Sequence, residues 1–175
     1  MHSAGVIAYP TEAVWGLGYD PFSEKAVNKI LGLKERHVDK GLILVASRID
    51  QLTFLLEGLP PEKLQTLKGS WPGPYTWIVP HHERIPRWIS GQHDGVAVRV
   101  SKHPVVTALC DLYGGPIVST SANPQGKPAA VHAWQVQRYF GKDSRLNLIT
   151  QGVVGQRRQP SEIRDLLTMA VLRGG

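Results

Sequence analysis

Pro116-Ile-Val-Ser-Thr-Ser-Ala-Asn123 reads as a short buried strand that runs into a polar turn. Ile117 and Val118 are apolar and β-branched, as a buried strand requires. Ser119, Thr120, Ser121 and Ala122 are small, and Asn123 and Pro124 follow. Hydroxyl and amide side chains at the C-terminal end of a strand either hydrogen-bond nearby backbone or point at a ligand. Open α/β sheets bind their ligands at the carboxyl ends of the strands. The stretch is therefore either one wall of a polar pocket or an Asx or Ser/Thr turn that only ends the strand.

The same placement occurs near the start of the chain. Residues 5–9 read as a strand buried on both faces, and Pro10 stops it. Residues 10–18 then show neither helical nor strand period, and Gly16 and Gly18 permit backbone close to a ligand. Thr11 and Glu12 stand just past the strand end, and Trp15 either packs under the loop or stacks on a base. Residues 23–34 form a helix with Ser23 as N-cap and an apolar face of Ala26, Val27, Ile30, Leu31 and Leu33. It runs into the charged segment Lys34-Glu-Arg-His-Val-Asp-Lys40 before a buried strand over 41–46. That segment is either a solvated charge run or a clamp for phosphate or carboxylate, to which Arg36 brings a bidentate fork and Lys34 and Lys40 point charges.

Downstream, two weak helices are expected over 49–69, a rigid turn at 71–74 and a strand over 75–79. Residues 81–95 read as an irregular polar loop. Its histidines match no zinc spacing and no cysteine pair accompanies them, so no metal is expected there. In the strand over 96–100, Arg99 interrupts a buried pattern and needs a partner, either a salt bridge or an anion. Cys110, in the helix after His103-Pro104, reads as core. A helix over 134–140, a strand over 146–150, a flexible basic loop with Gly152, Gly155, Arg157 and Arg158, and two short strands over 160–165 and 171–173 complete the chain.

A length of 175 residues suits one domain. With 42% hydrophobic and 19% charged residues the chain reads as an ordinary soluble protein. No signal peptide or membrane span is evident, and the single cysteine fits a reducing cytoplasm. A net charge of +6 favours anionic partners such as nucleotides, RNA or phosphate. There is no G-x-x-x-x-G-K-[ST] loop and no G-x-G-x-x-G after a strand, so ATP binding would have to use strand-end hydroxyls and basic side chains.

Tyr9-Pro-Thr-Glu-Ala-Val-Trp-Gly-Leu-Gly18, Lys34-Glu-Arg36, Val98-Arg-Val100 and Ser119-Thr-Ser-Ala-Asn123, in this order and at these separations, resemble the YrdC family. Asp39-Lys-Gly-Leu-Ile-Leu44 and Pro160-Ser-Glu-Ile-Arg-Asp165 resemble its short bacterial members, so the likeness covers nearly the whole chain. The resemblance implies an α/β fold with a twisted, open mixed sheet, flanking helices and a basic concave face. It implies one catalytic domain over 1–175, without the N-terminal helix that family members usually carry and without the extra C-terminal domain of longer relatives. The 152–159 loop would then take the place of the lid that a linker supplies in those relatives. Where the family more often has Tyr or Phe, this chain has Trp15.

The implied reaction condenses L-threonine, bicarbonate and ATP to L-threonylcarbamoyladenylate and pyrophosphate, with Mg2+ on the triphosphate and no dedicated protein cage for it. Downstream proteins would pass the group to the adenosine beside the anticodon in tRNA. By the same resemblance, Lys34 and Arg36 would be catalytic. Thr11, Arg99, Ser119 and Ser161 would bind threonine, and Arg36, Lys40, Ser121, Asn123 and Arg173 would bind ATP. The alternatives are a non-catalytic RNA-binding or ribosome-maturation module, taking tRNA or double-stranded RNA, and a nucleotide-binding regulator. Thr11, Arg99 and Ser119 discriminate, because an RNA surface needs scattered cations on phosphates but no small polar pocket.

Overall fold

The computed structural model describes residues 5–157 and 159–174. Its strands are β1 (Ile7–Pro10), β2 (Trp15–Gly18), β3 (Ile43–Ala46), β4 (Tyr75–Pro80), β5 (Gly95–Val100), β6 (Ile117–Ser121), β7 (Leu148–Ile149), β8 (Glu162–Asp165) and β9 (Val171–Arg173). They lie in the order β7-β1-β2-β6-β3-β5-β4-β8-β9, with parallel and antiparallel neighbours mixed. The helices are α1 (Glu24–Lys34), α2 (Thr53–Leu56), α3 (Pro61–Ser70), α4 (Arg87–Ser90), α5 (Pro104–Tyr113) and α6 (Ala133–Phe140).

β6 joins the two halves of this sheet. Ile117, Val118 and Ser119 pair antiparallel with Val45, Leu44 and Ile43 of β3. Thr120 and Ser121 pair instead with Leu17 and Gly16 of β2 on the other side. The short strand expected to open at Ile117 is therefore central, and the polar residues that follow it lie at the seam.

Side-chain alternation along the strands sorts the core into two faces. Leu44 and Ala46 of β3, Val96, Val98 and Val100 of β5 and Val118 of β6 join the larger cluster with Val27, Ile30 and Leu31 of α1. Their neighbours Val45 and Ile117 point the other way and pack with Tyr9, Val106 and Cys110 in a smaller cluster under α5. Ala97, Arg99 and Ser119 share the α5 face by the same alternation, but they lie beyond the helix and line an open cleft. Ser23 accepts a hydrogen bond from the amide of Ala26, as an N-cap should.

Two segments differ from the sequence expectation. Residues 15–18 are a strand, although their composition shows no strand period. β2 lies between β1 and β6 and is buried at every residue, so no polar face marks it. Residues 81–95 are not wholly irregular, because they contain α4. Trp15 is buried in the larger cluster, which settles its role as packing, and Cys110 is a core residue. Arg158 of the basic loop, and the N-terminal residues read for a signal peptide, lie outside the described residues.

Gly18 is required by the seam. A Cβ there would stand 1.8 Å from the Val118 carbonyl oxygen and 2.8 Å from the Tyr9 hydroxyl. Gly18→Ala should lower stability by about 1–3 kcal/mol, a fall in Tm of roughly 2–12 °C. Differential scanning calorimetry tests this, and an unchanged Tm would contradict the packing of β2 on β6.

Candidate active site

The cleft has a volume of about 770 Å3 and lies on the α5 face of the sheet. Its floor is built from the side chains that alternation turns outward, Ile43 of β3, Ala97 of β5, Ile78 of β4 and Ile163 of β8, together with the backbone of Gly95. Ala97 is in register with both Ile43 and Ile78, so a small residue sits between two branched ones. The floor is thus apolar, and the polar groups stand around it.

One wall is formed where α1 ends. Glu35 takes a left-handed conformation, φ 52°, after the last helical residue. That turn separates Lys34 from Arg36. Lys34 points inward, is 6% exposed, and its ammonium donates to the Ser121 carbonyl at 2.5 Å and the Asn123 carbonyl at 2.9 Å. The Ser121 hydroxyl and the Asn123 amide oxygen stand at 3.4 Å. The amide of Gln125 donates back to the Lys34 carbonyl at 3.1 Å. Burial, and after it the charge of Arg36, push the Lys34 ammonium down to about 8. Arg36 emerges on the cleft side. Its guanidinium donates to the Lys40 and Gly41 carbonyls at 3.2 and 2.9 Å, while its Nε is buried without a partner among the described residues. Desolvation lowers its proton affinity, and no described carboxylate forms an ion pair with it.

The opposite end is rich in hydroxyls. Thr11 is buried and its hydroxyl donates to the Val14 carbonyl at 2.8 Å. Ser119 is buried in β6. Ser161 pairs with the Thr76 hydroxyl at 2.6 Å, and Arg173 reaches across from β9 to donate to the Ser161 carbonyl at 2.8 Å. Arg99 lies 3.2 Å from a Glu12 carboxylate oxygen, so its salt bridge exists, and it lines the cleft as well. Burial works to raise the Glu12 carboxyl, but Arg99 and the Ser101 hydroxyl outweigh it and hold the group below its ordinary value. Desolvation and then the Arg99 charge lower the proton affinity of Arg173, so two cations crowd this end.

Of the residues expected at the site, Thr11, Arg36, Lys40, Arg99, Ser119, Ser121, Ser161 and Arg173 line the cleft. Lys34 and Asn123 do not. Lys34 is occupied by the carbonyls described above, and the Asn123 amide donates to the Pro124 and Lys127 carbonyls at 3.2 and 2.7 Å. Both hold the end of β6 in place. Glu12 and Thr76 carry no role in the sequence reading. The pairing of Glu12 with Arg99 is long-range, and Thr76 looks like any strand residue, so only the fold reveals them.

The arrangement offers Arg36 and Lys40 at one end, hydroxyls and the guanidiniums of Arg99 and Arg173 at the other, and an apolar floor between. It suits a ligand with phosphates or carboxylates at separated positions.

A family model described as Sua5_yciO_yrdC, telomere recombination, matches residues 1–175. A protein of Pseudomonas aeruginosa named threonylcarbamoyl-AMP synthase is 57% identical over 173 residues, which cover 99% of this chain and 92% of the relative. Its namesake in Saccharophagus degradans is 60% identical over 169 residues, covering 97% and 87%. Among solved structures, P. abyssi Sua5 complexed with L-threonine superposes with a TM-score of 0.84 at 35% identity, over 93% of this chain. This chain spans 47% of that protein's length. E. coli YciO superposes with a TM-score of 0.83 at 25% identity, covering 98% and 83%.

The Lys34 environment sets a pH dependence of stability. The folded-state value, about 8, lies below the ordinary 10.5. Below about pH 8 the folded protein therefore carries the full penalty of a buried charge. Between about 8 and 10.5 the folded state sheds its proton before the unfolded one, and stability rises with pH. Urea unfolding of the protein and of Lys34→Met across this window should favour the former increasingly, by up to about 3 kcal/mol. Parallel pH profiles would contradict the assignment.

Proposed function

The chain belongs to the Sua5/YciO/YrdC family, and from that premise we propose that it is a threonylcarbamoyl-AMP synthase. It condenses L-threonine, bicarbonate and ATP to L-threonylcarbamoyladenylate and pyrophosphate, for the threonylcarbamoyl modification of tRNA. The observation that carries this reading is the cleft itself: Arg36 and Lys40 face hydroxyls, Arg99 and Arg173 across an apolar floor, and Arg36, Lys40 and Arg173 pair with no described carboxylate.

The chemistry explains why such a cleft suits the reaction. The threonine nitrogen bonds to the carbon of bicarbonate, or of the CO2 it releases, to give a carbamate and water. A carbamate oxygen then bonds to the α-phosphorus of ATP as the bond to the β-phosphate bridging oxygen breaks, and pyrophosphate leaves. Two anions must approach, so fixed cations are needed where charge gathers. Arg36 and Lys40 would take the phosphates, with Arg173 and the Ser121 hydroxyl as further nucleotide contacts. Arg99 would take the threonine carboxylate, and Thr11, Ser119 and Ser161 its remaining polar groups. Lys34 and Asn123 would act by holding β6 in the geometry that Ser119 and Ser121 require. No covalent nucleophile is needed, so catalysis rests on positioning and electrostatics.

Mg2+ would arrive on the triphosphate. Among the described residues no cluster of three or more His, Cys, Asp or Glu could hold it alone, and the steps above need no protein ligand to it. The product is a reactive mixed anhydride, so downstream proteins must consume it and deliver the group to tRNA. Among the described residues no helix is long and apolar enough to cross a membrane; the proposed role in tRNA modification is what would place the enzyme in the cytoplasm. A purely RNA-binding role would need scattered cations on phosphates and gives no reason for Thr11, Arg99 and Ser119 to line one small cleft.

The test is to incubate the purified chain with ATP, Mg2+, labelled bicarbonate and L-threonine and to follow labelled adenylate and pyrophosphate by mass spectrometry. Both should form only with all substrates present. Arg36→Ala should lower turnover by about 10²–10³-fold with Tm within roughly 2 °C of the unaltered protein. Absence of product from the folded chain, or full activity in the variant, would refute the reading.

A further inference from the structure

We propose that Glu12 is a positioning residue for the amino-acid end of the cleft: its carboxylate orients the Arg99 guanidinium, and its backbone anchors the segment 150–157 beside Thr11. The inference rests on Arg99 taking the substrate carboxylate, as argued above.

The geometry is a chain of contacts with Glu12 at its centre. One carboxylate oxygen lies 3.2 Å from Arg99 Nη2, with the two side chains 22% and 12% exposed. The other accepts from the Ser101 hydroxyl at 2.6 Å. Ser101 is itself held, since its oxygen accepts from the His103 amide at 3.1 Å. His103 Nε2 donates to the Val153 carbonyl at 3.0 Å. Segment 150–157 closes the circuit, because the Gly155 amide donates to the Thr11 carbonyl at 2.9 Å and the Arg157 amide to the Glu12 carbonyl at 3.1 Å. A Cβ at Gly155 would stand 2.9 Å from the Glu12 carbonyl oxygen, so the segment lies tight against this loop.

Arg99 needs such support. A free arginine side chain samples many rotamers, and a pre-oriented guanidinium loses less of that freedom on binding. Arg173 stands close enough for the two charges to repel, which would drive an unrestrained Arg99 toward solvent. Glu12 offsets that repulsion and contacts one nitrogen, while a guanidinium carries five N–H donors in a fixed fork, so donors remain for a substrate carboxylate. Glu12 does not line the cleft, so it acts through Arg99 rather than on the substrate.

The test compares Glu12→Gln, Arg99→Ala and the double variant in the synthase assay, with ATP affinity and Tm measured alongside. Glu12→Gln keeps the shape and an acceptor for Ser101 but removes the charge. It should raise the KM for L-threonine about tenfold, while the Kd for ATP stays within about twofold. The double variant should be no worse than Arg99→Ala alone. A tenfold KM effect that persists on top of Arg99→Ala, an unchanged or lowered threonine KM in Glu12→Gln, or an equal loss of ATP affinity would overturn the proposal. If Arg99→Ala leaves the threonine KM unchanged, the assignment of Arg99 fails and the proposal falls with it. If Arg99→Ala raises it and Glu12→Gln does not, only the positioning role fails. Should Glu12→Gln not fold, Ser101→Ala serves instead: it removes the donor that holds Glu12, and an unchanged threonine KM there would overturn the proposal.

Discussion

The Lys34 ammonium lies against the carbonyl oxygens of Ser121 and Asn123, where β6 leaves the sheet. No carboxylate balances it among the described residues. A buried unpaired charge costs several kcal/mol, so its retention calls for an organising role. It holds the polar end of β6 against the end of α1, and that contact brings Ser119 and Ser121 to the cleft wall. The left-handed turn at Glu35 then lets the next cation, Arg36, face the opposite way. Two residues of one short motif thus divide their work, one holding the strand and the other facing the cleft.

The cleft carries more positive charge than its own carboxylates neutralise. Arg99 has Glu12, but Arg36, Lys40 and Arg173 have no ion-pair partner among the described residues, and burial lowers the proton affinity of Arg36 and Arg173. Desolvated cations fixed before a ligand arrives are costly to the empty protein. They are favourable to a reaction in which negative charge accumulates, because little reorganisation is left for the transition state. At the other end the hydroxyl pair Thr76–Ser161 and the Glu12–Arg99 ion pair are internal contacts that keep the geometry.

Much of this was legible in the sequence, for physical reasons that can be named. Ile117-Val118 followed by small polar residues marked a strand ending in either a pocket wall or a plain turn; β6 is that strand, and Ser119 and Ser121 line the cleft. Ser23 and the apolar spacing behind it marked α1. β2 was not legible, because a strand buried on every side has no alternation to betray it, and its two glycines read as loop. The division between Lys34 and Arg36 was not legible either, since spacing alone sets them two residues apart and only the backbone turn at Glu35 parts them. Glu12 and Ser101 are 89 positions apart in sequence, and their contact exists only once β1 and β5 share a sheet. Local patterns therefore revealed which residues are polar at strand ends, and the fold decided which of them line the cleft and which hold the others.

The central claim is that the cleft's uncompensated cations define where the anionic carbamate of threonine and ATP meet. The most direct measurement is a crystal structure of the chain with L-threonine and a non-hydrolysable ATP analogue. The account predicts phosphate oxygens within hydrogen-bond distance of Arg36 and Lys40, and the threonine carboxylate on Arg99. Density for the nucleotide outside the cleft, or a threonine carboxylate remote from Arg99, would contradict it.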